Sequence, residues 1–204
     1  MPAGKKWDEI YSARLSASSL DLSDLTANSF LKSAGSYLPK KGRALDLAAG
    51  LGADSNNLAG LGFDVDAWDA SSVAMTWLEN QARQAHRAIR TRVVDLVAEA
   101  FEGHRYDVIH VHHFLDRSLC GAIETALHPG GILLFSTFLT PPALSAAQKA
   151  ALPGPSRPEF RLVPGEVVEL FPTLEPVLHL ETDQVVDGAL PPCHGFLIGR
   201  KPSS

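Results

Sequence analysis

From about residue 43 onward, short apolar runs rich in strand-forming residues alternate with runs of helical period, and this alternation restricts the chain more than any other feature. Strands are expected over 43–48, 63–69, 90–96, 106–113 and 132–138, with helices over 53–61, 71–88 and 116–127 and a turn at 128–131. Strand, helix, strand, helix is the pattern of a parallel sheet covered on both faces. The fourth and fifth runs are nearly all apolar, as strands buried on both sides must be. Beyond residue 138 the pattern changes. Residues 139–160 hold five prolines and read as a loop or lid. A helix over 163–172 precedes two strands, 175–183 and 193–201, with no helix between them, so these should pair as an antiparallel hairpin. The expected fold is α/β, Rossmann-like and doubly wound: a mostly parallel seven-stranded sheet with an antiparallel C-terminal hairpin edge strand.

At 204 residues the chain suits a single domain over 1–204. Its expected parts are cap helices (1–42), a ligand-binding core (43–138), the lid or loop (139–160), and a C-terminal helix and hairpin (161–204). The net charge of −5, with no basic patch, disfavours nucleic acid as a partner. No apolar run approaches a membrane span, and the first residues carry no signal-peptide pattern, so a cytoplasmic location is expected. The two cysteines, Cys120 and Cys193, are widely spaced and suggest neither a zinc site nor a disulfide framework.

In open parallel sheets ligands bind outside the carboxyl ends of the strands. There the first strand delivers Asp46 and the turn from Ala48 to Gly52, the second Asp69 followed by Ala70, the third Asp95 followed by Leu96, and the fourth His112 and His113. A dinucleotide site needs G-x-G-x-x-G, but Gly50-x-Gly52 is followed by Ala53, Asp54 and Ser55. The third glycine is missing, and Asp54 stands where a helix N-terminus would meet a pyrophosphate. The acidic turn suits a ligand carrying an ammonium instead. S-adenosylmethionine has no phosphate and carries both a sulfonium and an ammonium. Asp69 is placed to accept the ribose hydroxyls, Asp95 the adenine amino group, and the two glycines allow close backbone approach.

The stretch D-x-A-x-G-x-G at 46–52 resembles motif I of the class I S-adenosylmethionine-dependent methyltransferases, with Ala48 in place of the first glycine. VDAWDAS (65–71), VVDL (93–96) and LHPGGILLFSTF (127–138) resemble three further family motifs, in order and at family spacing. More narrowly, WDEIYSARL (7–15), HHFLDR (112–117) and the tail 159–181 are similar to the tellurite-resistance and thiopurine methyltransferase-like branch. That resemblance implies an N-terminal segment folded over the cofactor, with Trp7 and Tyr11 covering it. Branch members often carry histidine where Asp116 stands here, which implies different substrate contacts.

The resemblance implies S-adenosyl-L-methionine as cofactor and methyl transfer to a small molecule. The cofactor contacts it points to are Trp7, Tyr11, Asp46, Ala48, Gly50, Gly52, Asp69, Ala70, Asp95, Leu96 and His112. Candidates for a catalytic role are His112, His113 and Arg117. No metal is expected, because no carboxylate cluster accompanies the histidines. On a strand His110 and His112 share a face while His113 points away, and His110 reads as a hydrogen-bonded core residue. Three other readings stay open: a non-catalytic module binding S-adenosylmethionine or S-adenosylhomocysteine, a nicotinamide-dependent oxidoreductase, and a methyltransferase acting on RNA or protein, which the acidic charge disfavours. Thiol, amine, hydroxyl and metalloid acceptors are equally compatible with the sequence.

Overall fold

A computed structural model describes residues 3–96, 101–140, 152–182 and 193–203 of the chain. Seven strands form one sheet in the order β3-β2-β1-β4-β5-β7-β6. These are β1 (Gly42–Leu47), β2 (Phe63–Asp69), β3 (Ile89–Val93), β4 (Tyr106–His112), β5 (Leu127–Phe138), β6 (Glu175–Thr182) and β7 (His194–Arg200). The first five pair in parallel, and β7 runs antiparallel between β5 and β6. The expected hairpin therefore forms, with β6 outermost and the reversed strand one place in from the edge. This is an α/β, Rossmann-like sheet, mostly parallel with one reversed strand.

The central strands are long apolar runs because helices cover both of their faces. Alternation along them sends side chains to two cores. Leu45, Leu47, Ile109, Val111 and Phe135 pack on one side with Tyr106 and Phe171. Ala44, Val65, Val108, Leu134 and Phe196 pack on the other with Phe30 and Leu31. A third group joins Ala67 to Ala74, Met75 and Leu78, and Tyr11 packs against it.

The helices are α1 (Ala3–Ala17), α2 (Ser29–Ser33), α3 (Ala53–Gly60), α4 (Ser72–Gln84) and α5 (Cys120–Ala126). Ser71 caps α4 by accepting from Ala74 N–H at 3.1 Å. That helix ends four residues short of the expected 88, where His86 enters a left-handed conformation (φ 51°). The helix expected over 163–172 shrinks to Glu166–Glu169, because Gly165 just before it is left-handed (φ 82°). Residues 128–131, expected as a turn between helix and strand, lie within β5 as an outward kink. Leu127 pairs with Tyr106 and Ile132 with Val108, so the residues between them bulge, and Gly130 takes the positive φ (76°). Most of the expected lid, residues 141–151, lies outside the described residues.

Candidate functional site

The carboxyl ends of β1, β2 and β4 open into two adjoining cavities. One, of about 210 Å³, is lined by Asp46, the turn 48–53, Asp54 and Arg14. The other, of about 270 Å³, is lined by Trp7, Asp69, Ala70, Asp95, Leu96 and Phe114. Tyr11, Ala48, His112 and His113 belong to both and mark where the cavities meet.

The turn is shaped by left-handed residues. Ala48, Gly50 and Gly52 have φ of 60°, 55° and 80°. A side chain on Gly50 would come within 2.7 Å of Tyr11 Oη, so glycine lets α1 close onto the turn. Asp69 grips the turn from β2: Oδ2 accepts from Gly50 N–H and Oδ1 from Ser71 N–H, each at 2.8 Å. Burial raises the Asp69 pKa, and the amide hydrogen bonds oppose that rise.

Asp46 is buried and held on both oxygens. It accepts from Ser55 Oγ at 2.5 Å, and its other oxygen lies 2.9 Å from His110 Nδ1. Asn28 Oδ1 caps α2 through Leu31 N–H, which turns Asn28 Nδ2 toward His110 Nε2 at 3.1 Å. Burial pulls the His110 pKa down, and the Asp46 and Asp54 carboxylates pull it up by more. The amide donor at Nε2 nevertheless favours a neutral ring that donates through Nδ1, and the fixed cap orientation of Asn28 decides for that form. His110 is thus the hydrogen-bonded core residue expected. Asp54, in the first turn of α3, accepts from Asn28 N–H at 2.8 Å, and burial raises its pKa.

Helix α1 roofs the cleft. Trp7 and Tyr11 stack at 5.9 Å, and burial together with the Asp69 charge pushes the Tyr11 hydroxyl up to about 12, so it stays protonated. Asp8 fastens the helix to the start of α4, accepting from Ser71 Oγ at 2.6 Å and Val73 N–H at 3.1 Å.

The structure departs from the sequence expectation at three candidate positions. His113 was expected to face away from His112, but β4 ends at His112 and His113 is left-handed (φ 57°), which brings the two rings into a stack at 3.7 Å. Asp95 was placed on a strand and instead follows β3, in the loop that lines the second cavity. Arg117 lines neither cavity: it binds Glu166 at 2.6 Å and the carbonyls of Glu159 and Arg161, tying the C-terminal segment down. The other candidates, Trp7, Tyr11, Asp46, Ala48, Gly50, Gly52, Asp69, Ala70, Leu96 and His112, all line the cleft. Sequence reading passed over Arg14, although it lies one helical turn beyond Tyr11 and shares its face. It also passed over His194, whose ring meets His113 from 81 residues away and leaves no local signal.

A parallel sheet with one reversed strand, opening onto an acidic glycine turn, defines the S-adenosylmethionine-dependent methyltransferase class of fold. The family described as tellurite resistance protein TehB matches residues 24–134, more than half of the chain, and the chain belongs to that family. TehB from Haemophilus influenzae is 20% identical with a TM-score of 0.68, covering 84% of this chain and 61% of its own, so this chain spans about three-fifths of that protein. A TehB-like SAM-dependent methyltransferase from Corynebacterium glutamicum is 17% identical with a TM-score of 0.60, covering 95% and 97% of the two chains. A SAM-dependent methyltransferase from Methanosarcina mazei is 20% identical with a TM-score of 0.66, covering 83% and 97%. No curated protein matches this sequence.

Proposed function

We propose that this chain, acting as one domain, is a methyltransferase that moves the methyl group of S-adenosylmethionine to a small-molecule acceptor. The observation that carries the reading is the pair of cavities meeting at Ala48, His112 and His113, with acidic residues lining both. The residues present fit this cofactor. Asp69, with Ala70, would take the ribose, and Asp95 with Leu96 the adenine edge. Asp46 and the Gly50–Gly52 turn would take the ammonium, and Arg14 the carboxylate. Trp7 and Tyr11 would close over the nucleoside.

When bound, the cofactor supplies a methyl group already activated as an electrophile by its sulfonium. The protein's work is then orientation: aligning an acceptor for in-line displacement converts a bimolecular encounter into a positioned one. The join between the cavities is where α1, the turn and the β4 histidines would exclude water from the reacting atoms. Four carboxylates, Asp46, Asp54, Asp69 and Asp95, give the cleft a negative field suited to a cationic cofactor. Among the described residues no helix is long and apolar enough to cross a membrane.

Titration calorimetry with S-adenosylhomocysteine tests this reading directly. Asp69→Ala should weaken binding by about 1–3 kcal/mol, the scale of lost hydrogen bonds to a charged group. An unchanged dissociation constant would remove Asp69 from the site, and no binding by the parent chain would sink the reading altogether.

A further inference from the structure

Behind the ammonium end of the cleft lies a buried polar network that the proposed cofactor contacts leave unused. Asp46 and His110 are cross-strand partners on β1 and β4. Their neighbours Ala44, Val108 and Leu134 belong to an apolar core. His110 is fully buried there. An imidazole in such a place costs free energy unless its nitrogens find hydrogen-bond partners. Both do: Nδ1 lies 2.9 Å from Asp46 Oδ1, and Nε2 lies 3.1 Å from Asn28 Nδ2. An apolar residue would fill the position without that cost. It would leave Asp46 with Ser55 Oγ as its one donor among the described residues.

Asn28 decides the form of the ring. Its Oδ1 is taken at 2.8 Å by Leu31 N–H, so Nδ2 faces the ring as a donor. Nε2 must then accept, and the single ring proton sits on Nδ1, facing Asp46. The charges around the ring push the other way. Asp46 and Asp54, whose Oδ2 is 4.0 Å from Nε2, both favour a second proton. His112, with its ring 6.3 Å away on the same strand, is the other titratable group close by. Asn28 also holds Asp54, donating its backbone N–H to Oδ1 at 2.8 Å. The consequence is electrical. A protonated His110 would cancel the charge of Asp46, which lines the cavity, whereas a neutral ring leaves that charge whole. Held by Ser55 on one oxygen and His110 on the other, the carboxylate is ordered before any ligand arrives.

Resting on the proposed cofactor site, we propose that His110 is a positioning residue for the ammonium of the cofactor, and that Asn28 fixes its tautomer. His110 orients Asp46, and Asn28 preserves the charge of Asp46. Neither residue lines either cavity, so both act through the carboxylate. The ammonium is then the cation that balances Asp46, and a ligand without it is rejected.

The test uses the full chain and two ligands, S-adenosylhomocysteine and its deamino analogue, which lacks only the ammonium. By calorimetry the parent should bind S-adenosylhomocysteine at least about ten-fold tighter, the scale of hydrogen bonds to a charged group. That preference should be the same at about pH 6 and about pH 8, either side of the ordinary histidine value. His110→Leu should cut the preference about five-fold, the loss of one hydrogen bond, and leave the affinity for the deamino analogue unchanged. His110→Asn, whose amide nitrogen stands in for Nδ1–H, should restore most of it. Asn28→Ser retains a cap for α2 and removes the donor facing Nε2. Its preference should be smaller at the lower pH than at the higher, as His110 gains and loses its second proton. If His110→Leu does not fold, the comparison of Asn28→Ser with the parent decides alone. The proposal is overturned by a parent that binds both ligands equally, by a parent whose preference changes between the two pH values, or by an Asn28→Ser preference as flat as the parent's. Equal weakening of both ligands by His110→Leu would also overturn it, since a merely structural residue would act that way. Failure of the parent to bind S-adenosylhomocysteine would instead strike the cofactor reading beneath it.

Discussion

Ala48 shows how much a single position can hide. It stands in place of a motif glycine. The cost lies in the backbone: at φ 60° an L-residue pays about 1–2 kcal/mol that glycine does not. Ala48→Gly should relieve that strain, less roughly 0.4–1 kcal/mol of added freedom in the unfolded chain. The expected net gain of about 1 kcal/mol would raise the melting temperature by about 2–4 °C, measurable by calorimetry. A lowered melting temperature would show that the methyl group earns its place by packing. Asp46, Asp69 and the two glycines were legible because motif spacing is local. The Asp46–His110 bond was not, since its partners lie 64 residues apart and only strand pairing brings them together.

At the scale of elements, α1 is held over the cleft by few contacts, and Asp8 is the chief polar one. Asp8→Ala removes acceptors for the start of α4, a capping loss worth about 0.5–2 kcal/mol. It should therefore speed hydrogen exchange in α1 and weaken S-adenosylhomocysteine binding, since Trp7 and Tyr11 ride on that helix. Exchange rates in α1 equal to those of the parent would refute the tie. The same contact carries a pH signature. Hydrogen bonds from Ser71 and Val73 hold the Asp8 pKa below the ordinary aspartate value of 3.8. A depressed folded-state pKa stabilises above the unfolded value and is lost as pH falls through the folded one. Docking of α1 should thus be constant near neutrality and fail below pH 3.8, with Asp8→Ala showing no such step. Element types followed the sequence well where periodicity was strong: β2 spans 63–69 as expected. Boundaries slipped at left-handed residues such as His86 and Gly165, whose φ depends on surroundings that composition does not encode.

For the whole molecule, the acidic cleft should discriminate among nucleotides. A ligand present at 100 times its dissociation constant stabilises by about 2.7 kcal/mol. S-adenosylhomocysteine should accordingly raise the melting temperature by roughly 5–10 °C for a chain of this size. NAD should leave it unmoved, because Asp54 meets any pyrophosphate at the start of α3. A comparable shift with NAD would discard the electrostatic argument for the site. The sheet's overall plan was readable from alternating runs, but the placement of β7 inside β6 was not, because both orders satisfy the same hairpin. That placement has a consequence for how the protein is made. β6 leaves the ribosome before β7, yet it pairs with no other strand. It must wait unpaired until β7 arrives and slots in beside β5. The reversed strand also enters the rim by its first residue, His194, whose ring meets His113, so this edge of the cleft is finished by the last strand of the described sheet to be synthesised. A nascent chain would own a complete glycine turn well before it owned a complete place for a substrate.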